Sequence, residues 1–167
     1  MFRLPRYQFV IAEESGNALV FRLLLLRNEL GLQDAVHFIG FRQDISALLN
    51  GLDVFVLSSV SEGFSLATVQ AMACGIPVVA TRSGGPEEIV SDGFNGILVD
   101  VQVESQLAQA IRLVAADISL RKSLAENALH LARSRYTFDT MLARYDALYD
   151  ELIGRSTGTA AGGRDDR

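Results

Sequence analysis

The chain has 167 residues, the length of one domain, and 49% of them are hydrophobic, enough to bury a core. A net charge of −5 and a pI near 5.0 exclude a general binder of nucleic acid or of anionic membranes. A single cysteine excludes an internal disulfide framework and fits a reducing cytoplasm, while residues 1–6 lack the apolar core of a secretory leader and the longest apolar stretch, 23–26, is far too short to span a bilayer.

Residues 7–12 read as a strand, 13–16 as a turn and 17–30 as a helix closed by Gly31. Leu19, Leu23, Leu26 and Leu30 recur at helical spacing and are expected to form its buried stripe, with Leu24 and Leu25 packing against a further element. Residues 35–39 form the next strand, and Gly40, Phe41 and Arg42 lie at its carboxyl end. His37, inside that strand, is expected to be structural rather than a catalytic base. A short helix over 44–50 leads to the central part of the chain.

That part is an apolar strand over 53–57, a polar loop from Ser58, a helix ending at Gly75, and a second strand starting at Val78. It is one βαβ unit. Ser61 is the expected N-cap, so the helix should begin at Glu62 or Gly63, with Gly75 at the C′ position. Ala67, Ala71 and Ala73 should let it lie close on the sheet. In open parallel sheets ligands bind beyond the carboxyl ends of the strands, where this loop lies. The first N–H groups of a helix have no partner inside it, so those of Gly63, Phe64, Ser65 and Leu66 are suited to an anion such as phosphate.

Glu62 would repel that anion, but it can accept hydroxyl groups just beyond it. Gln70 lies eight residues on, roughly 12 Å along a helix axis at about 1.5 Å per residue. The pair would flank a diphosphate with one polar site at each end. A second reading stands open, in which Glu62 is a first-turn carboxylate favoured by the helix dipole and Gln70 is a surface residue. Cys74, with no histidine near it in sequence, is expected to be a small packed residue rather than a nucleophile.

After Thr81, the segment Arg82-Ser-Gly-Gly-Pro86 is a glycine loop at another strand end, with Pro86 suited to the first position of a single helical turn. Residues 92–96 form a turn and 97–99 a short edge strand. Helices follow over 105–116, with Leu107, Ile111 and Val114 on one face, over 119–134, and over 138–153. Residues 154–167 have nothing to bury and are expected to be disordered.

The central block runs Glu62-Gly-Phe-Ser-Leu66, then Gln70-Ala-Met-Ala-Cys-Gly-Ile-Pro-Val-Val79, then Gly84-Gly-Pro-Glu-Glu88. It resembles the donor-binding half of retaining glycosyltransferases of family 4, which share a Glu, seven residues, Glu mark. The likeness runs from Tyr7 to Ile153. It implies the second of two Rossmann-like domains of the GT-B fold, with the active site in the cleft between them. The fold class is thus α/β, a Rossmann-like parallel sheet flanked by helices over 1–153, here lacking its first strand and helix. In the usual order 3-2-1-4-5-6, the absent strand would lie between 7–12 and 53–57. A fragment, a truncated reading frame or half of a split enzyme is therefore expected.

The resemblance also implies roles. Glu62 would contact the donor sugar as the catalytic candidate, Gln70 the ribose, and Gly63, Phe64, Ser65 and Leu66 the diphosphate. Gly40 and Arg42 lie on the loop that passes the base, and Gly84, Gly85 and Glu88 on the loop that faces the donor. For Arg42 and for the glycine loop, solvated or purely structural roles stand equally open. The implied partner is a nucleoside-diphosphate sugar of UDP or GDP type, and an N-terminal domain or partner chain would complete the enzyme. No cofactor is expected, and no Asp-x-Asp pair or His/Cys cluster makes a case for a metal.

The chain departs from the family pattern at Gln70, where the second Glu stands, at Ser58, usually Pro, and at 13–16, where a Gly-x-Gly loop keeps only Gly16 and brings in Glu13 and Glu14. A non-catalytic nucleotide-sugar binding or assembly module is the alternative reading. An epimerase or phosphorylase is a third, the latter disfavoured because the only lysine, Lys122, lies in the helical region.

Overall fold

The computed structural model describes residues 7–12 and 18–158. The expectations for residues 1–6, for Glu13, Glu14 and Gly16, and for 159–167 lie outside the described residues. The chain divides into two units, Met1–Ile45 and Ser46–Arg167.

In the first unit, β1 (Phe9–Ile11) and β2 (Val36–Phe38) pair in parallel, Phe9 opposite Val36 and Ile11 opposite Phe38, with α1 (Ala18–Glu29) as the crossover. Gly31 closes α1 in the left-handed region at φ 65°. The inner face of α1 is not the expected leucine stripe: Leu19, Leu26 and Leu30 are exposed. The covered row is Val20, Leu23, Leu24 and Arg27, at i, i+3, i+4 and i+7, and the Arg27 guanidinium lies 5.8 Å from the centre of the Phe38 ring. With leucines at 23 to 26 in succession, hydrophobicity alone did not choose the face. His37 is exposed, and its Nε2 lies 2.7 Å from Oε1 of Gln8.

Helix α2 (Ile45–Asn50) spans the boundary, and the second unit continues with β3 (Phe55–Leu57), α3 (Leu66–Ala73), β4 (Val78–Thr81), α4 (Gly85–Ile89) and β5 (Ile97–Val99). The strands are parallel in the order β3-β4-β5, with β5 on the edge as expected. All four residues of β4 are buried, as an apolar central strand of a parallel sheet requires. Among the described strands, β1 and β3 have one neighbour each.

Three helices complete the unit: α5 (Glu104–Ala116), α6 (Ile118–Arg135) and α7 (Phe138–Gly158). Val79, Val99, Ala110, Val114 and Leu124 form the core under α5 and α6. On α3 the buried residues are Thr68, Ala71 and Met72, while Ala67 and Ala73 are exposed, so only one of the three expected alanines meets the core. Helix α6, whose small residues Ala128 and Ala132 are buried, packs against α3.

Asp117 joins α5 to α6, and its side chain caps α6 by accepting the Leu120 N–H at 2.9 Å. Asp117→Ala is expected to lower stability by about 1 kcal/mol in chemical denaturation, the usual worth of such a cap. Helix α7 continues to Gly158 rather than ending at Ile153. Its apolar residues Phe138, Met141, Leu142, Tyr145, Leu148 and Leu152 are exposed.

Candidate functional site

The loop between β3 and α3 is held by the loop after β4. Thr81 Oγ1 donates to the Ser59 carbonyl at 2.5 Å, Glu62 N–H donates to the Ser83 carbonyl at 2.8 Å, and Gly85 N–H donates to the Glu62 carbonyl at 3.0 Å. Glu62 and Gly84 thus pair as a short piece of parallel sheet. This corrects the expected start of the helix. Glu62 lies in a β-bridge and Gly63 at a bend, Ser61 is not the cap, and α3 begins at Leu66 with Ser65 as N-cap. The buried Ser65 accepts from Thr68 N–H at 3.4 Å, and its hydroxyl lies 2.9 Å from Thr68 Oγ1.

The later start moves the free donors along the chain. Among the described residues, nothing accepts from the N–H groups of Gly63, Phe64, Leu66 or Ala67. Leu66 and Ala67 are the uncapped first positions of the helix, and Gly63 and Phe64 precede them in open loop. A Cβ on Gly63 would meet nothing within 4 Å, so this backbone is open to an incoming group. Ser65 serves as the cap with its side chain turned to Thr68, and its own N–H also has no acceptor among the described residues.

Glu62 is half-buried, and its Oε2 accepts the Ser59 hydroxyl at 3.0 Å. Its other carboxylate oxygen has no partner among the described residues. Gln70 is exposed on the second turn of α3. Since Glu62 is outside the helix, the helical rise no longer sets the spacing of this pair.

The glycine loop is a structural brace. Gly84 has φ 107°, and a Cβ on Gly85 would sit 1.4 Å from the Gly63 carbonyl oxygen. Glu87 accepts the Gly84 N–H at 2.9 Å, closing the first turn of α4. Glu88 is exposed, and its carbonyl receives the Tyr136 hydroxyl at 3.5 Å. Arg82 is paired with Asp92 at 2.9 Å and Asp100 at 3.8 Å. Sequence reasoning passed over Ser59, Thr81, Ser83 and Glu87. Only Glu87 carried a local signal, a carboxylate three residues after the cap position.

Gly40 and Arg42 belong to the first unit. Arg42 makes a two-pronged contact with Asp44, Nε to Oδ1 at 2.7 Å and Nη2 to Oδ2 at 2.5 Å. That hydrogen bonding holds the Asp44 carboxyl below, and the Arg42 guanidinium above, its ordinary value. What little this exposed pair adds to stability is present above the ordinary Asp range and is lost as pH falls through the lowered value.

Phe64 and Leu66 also line an apolar groove of about 520 Å³ with Val69, Tyr136, Phe138 and Met141. The Phe64 and Tyr136 rings meet edge to face at 5.7 Å. Among the described residues, no group of His, Cys, Asp and Glu is placed to hold a metal ion, and no helix is long and apolar enough to cross a membrane.

Residues 3–130 match the family model described as Glycosyl transferases group 1, and the chain belongs to that family. Over 119 residues it is 37% identical to the N,N'-diacetylbacillosaminyl-diphospho-undecaprenol alpha-1,3-N-acetylgalactosaminyltransferase of Campylobacter jejuni, taking in 71% of this chain and 31% of that protein. The structure is similar to that of Anabaena HepE in complex with UDP-glucose, with TM-score 0.83 and 30% identity over 89% of this chain and 42% of that one. The C-terminal domain of the group 1 family protein LpcC of Francisella tularensis matches with TM-score 0.67 and 32% identity, over 72% of this chain and 63% of that one. The chain spans about a third of the length of the curated relatives it matches. Its described fold is that of the C-terminal, Rossmann-like domain of GT-B glycosyltransferases.

Proposed function

We propose that this chain is the donor-binding part of a retaining glycosyltransferase of family 4, which moves a sugar from a nucleoside diphosphate to an acceptor hydroxyl. The observation that carries the reading is the row of unpartnered N–H groups at Gly63, Phe64, Ser65, Leu66 and Ala67 beside the half-buried Glu62. These donors would hold the diphosphate and take up the charge that develops on it as the glycosidic bond breaks. Glu62 would accept hydroxyl groups of the sugar and Gln70 would hold the ribose, its amide offering one acceptor and an NH2 donor where a carboxylate accepts at both oxygens. Gly84, Gly85 and Glu88 would border the site, Gly84 and Gly85 by bracing the Glu62 loop, and Gly40 and Arg42 of the first unit keep the base-contacting role that the resemblance implies. The complex of the similar Anabaena protein with UDP-glucose supports a nucleotide-sugar ligand.

We assign the exposed apolar face of α7 to contact with the additional polypeptide that the longer relatives carry, and expect the chain alone to bind donor without turnover. Thermal melting with UDP, GDP and their hexose conjugates tests the binding. At about 100 times the Kd, a ligand specific to the folded state adds about 2.7 kcal/mol. In a chain of this size that raises Tm by roughly 5–10 °C. No rise with either nucleotide series at millimolar concentration would refute the reading.

A further inference from the structure

Building on that reading, we propose that Ser59 is a positioning residue that sets donor-sugar recognition through Glu62. A carboxylate next to a diphosphate is repelled by it and, on a flexible side chain, would swing into solvent. It can also turn back onto the free N–H groups of Gly63 and Phe64, which attract any anion. Glu62 does neither, because the Ser59 hydroxyl donates to its Oε2 at 3.0 Å. Ser59 is itself fixed, since its carbonyl accepts the buried Thr81 hydroxyl at 2.5 Å, and the Glu62 backbone is bonded on both sides to the Ser83–Gly85 segment. One carboxylate oxygen is thereby held by the protein, while the other, without a partner among the described residues, is presented to a hexose hydroxyl. The arrangement predicts that Ser59 matters for the sugar and not for the nucleotide.

The test is a double-mutant cycle at Ser59 and Glu62, read by calorimetric titration with UDP-glucose and GDP-mannose against free UDP and GDP. Ser59→Ala should weaken the nucleotide sugar about 5- to 10-fold and the free nucleotide less than 2-fold. Ser59→Thr, which keeps the hydroxyl, should restore sugar binding. In a Glu62→Gln background, Ser59→Ala should change sugar binding less than 2-fold, because its effect runs through the carboxylate. Equal losses for sugar and free nucleotide, or an undiminished loss in the Glu62→Gln background, would make Ser59 a merely structural residue and overturn the inference alone. Absence of binding by the unaltered chain to all four ligands would instead overturn the donor-binding reading, and this inference with it.

Discussion

Gly85→Ala is expected to separate the two loops that build the site. A methyl group at this position would lie 1.4 Å from the Gly63 carbonyl oxygen, 2.5 Å from the Gly63 carbonyl carbon and 3.1 Å from the Phe64 Cα. All three are backbone atoms, so no side-chain rotation can make room. The nearest relief is to push the Glu62–Phe64 segment off the glycine loop, which breaks the Gly85 to Glu62 and Glu62 to Ser83 hydrogen bonds. Overpacking of this kind commonly costs up to about 3 kcal/mol, and backbone clashes fall at the upper end. Urea denaturation should show that loss, and UDP should bind more than 10-fold more weakly. Gly63→Ala is the contrast. Its added methyl group meets nothing in the free chain. Stability should stay within about 0.5 kcal/mol. UDP should nevertheless bind roughly 10-fold more weakly, the worth of one or two backbone hydrogen bonds at about 1 kcal/mol each. Equal stability losses at the two glycines would contradict the division into a bracing and a ligand-facing position.

Glu62→Gln is expected to move sugar and nucleotide binding in opposite directions. The carboxylate is the only charged group of the loop, and a hydrogen bond from a hydroxyl to a charged acceptor is worth about 1.5–3 kcal/mol. Losing it should weaken a nucleotide sugar by roughly 10- to 100-fold. The same substitution removes a negative charge beside the diphosphate, so free UDP or GDP should bind as well as before or tighter. A residue that merely supported the loop would lower both affinities together. Calorimetric titration with matched pairs, UDP-glucose against UDP and GDP-mannose against GDP, separates the two outcomes.

The parallel sheet was legible in the sequence because its central strand is a continuous apolar run, Val78-Val-Ala80, and because breakers stand where elements end. Gly75 adopts φ 72° just past α3, as a C′ glycine should, and β5 occupies the expected residues Ile97–Val99. The start of α3 was not legible. Ser61 and Ser65 are both good caps by residue type, and the choice between them is made by Ser83 and Gly85, which bond the Glu62 backbone from across the fold. Long-range pairing overrode a local signal there, and among the described residues the run of N–H groups without an acceptor extends from Gly63 to Ala67. The supports of Glu62 were hidden for the same reason. Ser59 and Thr81 are ordinary residues in sequence, and they matter only because adjacent parallel strands bring their ends together.

The proposed donor binding depends on backbone N–H groups at the start of α3 meeting a diphosphate. Titrating the 15N-labelled chain with UDP, and with GDP in parallel, while following every amide resonance tests this most directly. Saturable shifts concentrated at Gly63, Phe64, Ser65, Leu66 and Ala67 are expected with one of the two nucleotides. Saturable binding that leaves these five amides unmoved, with the shifts gathered elsewhere on the chain, would contradict it.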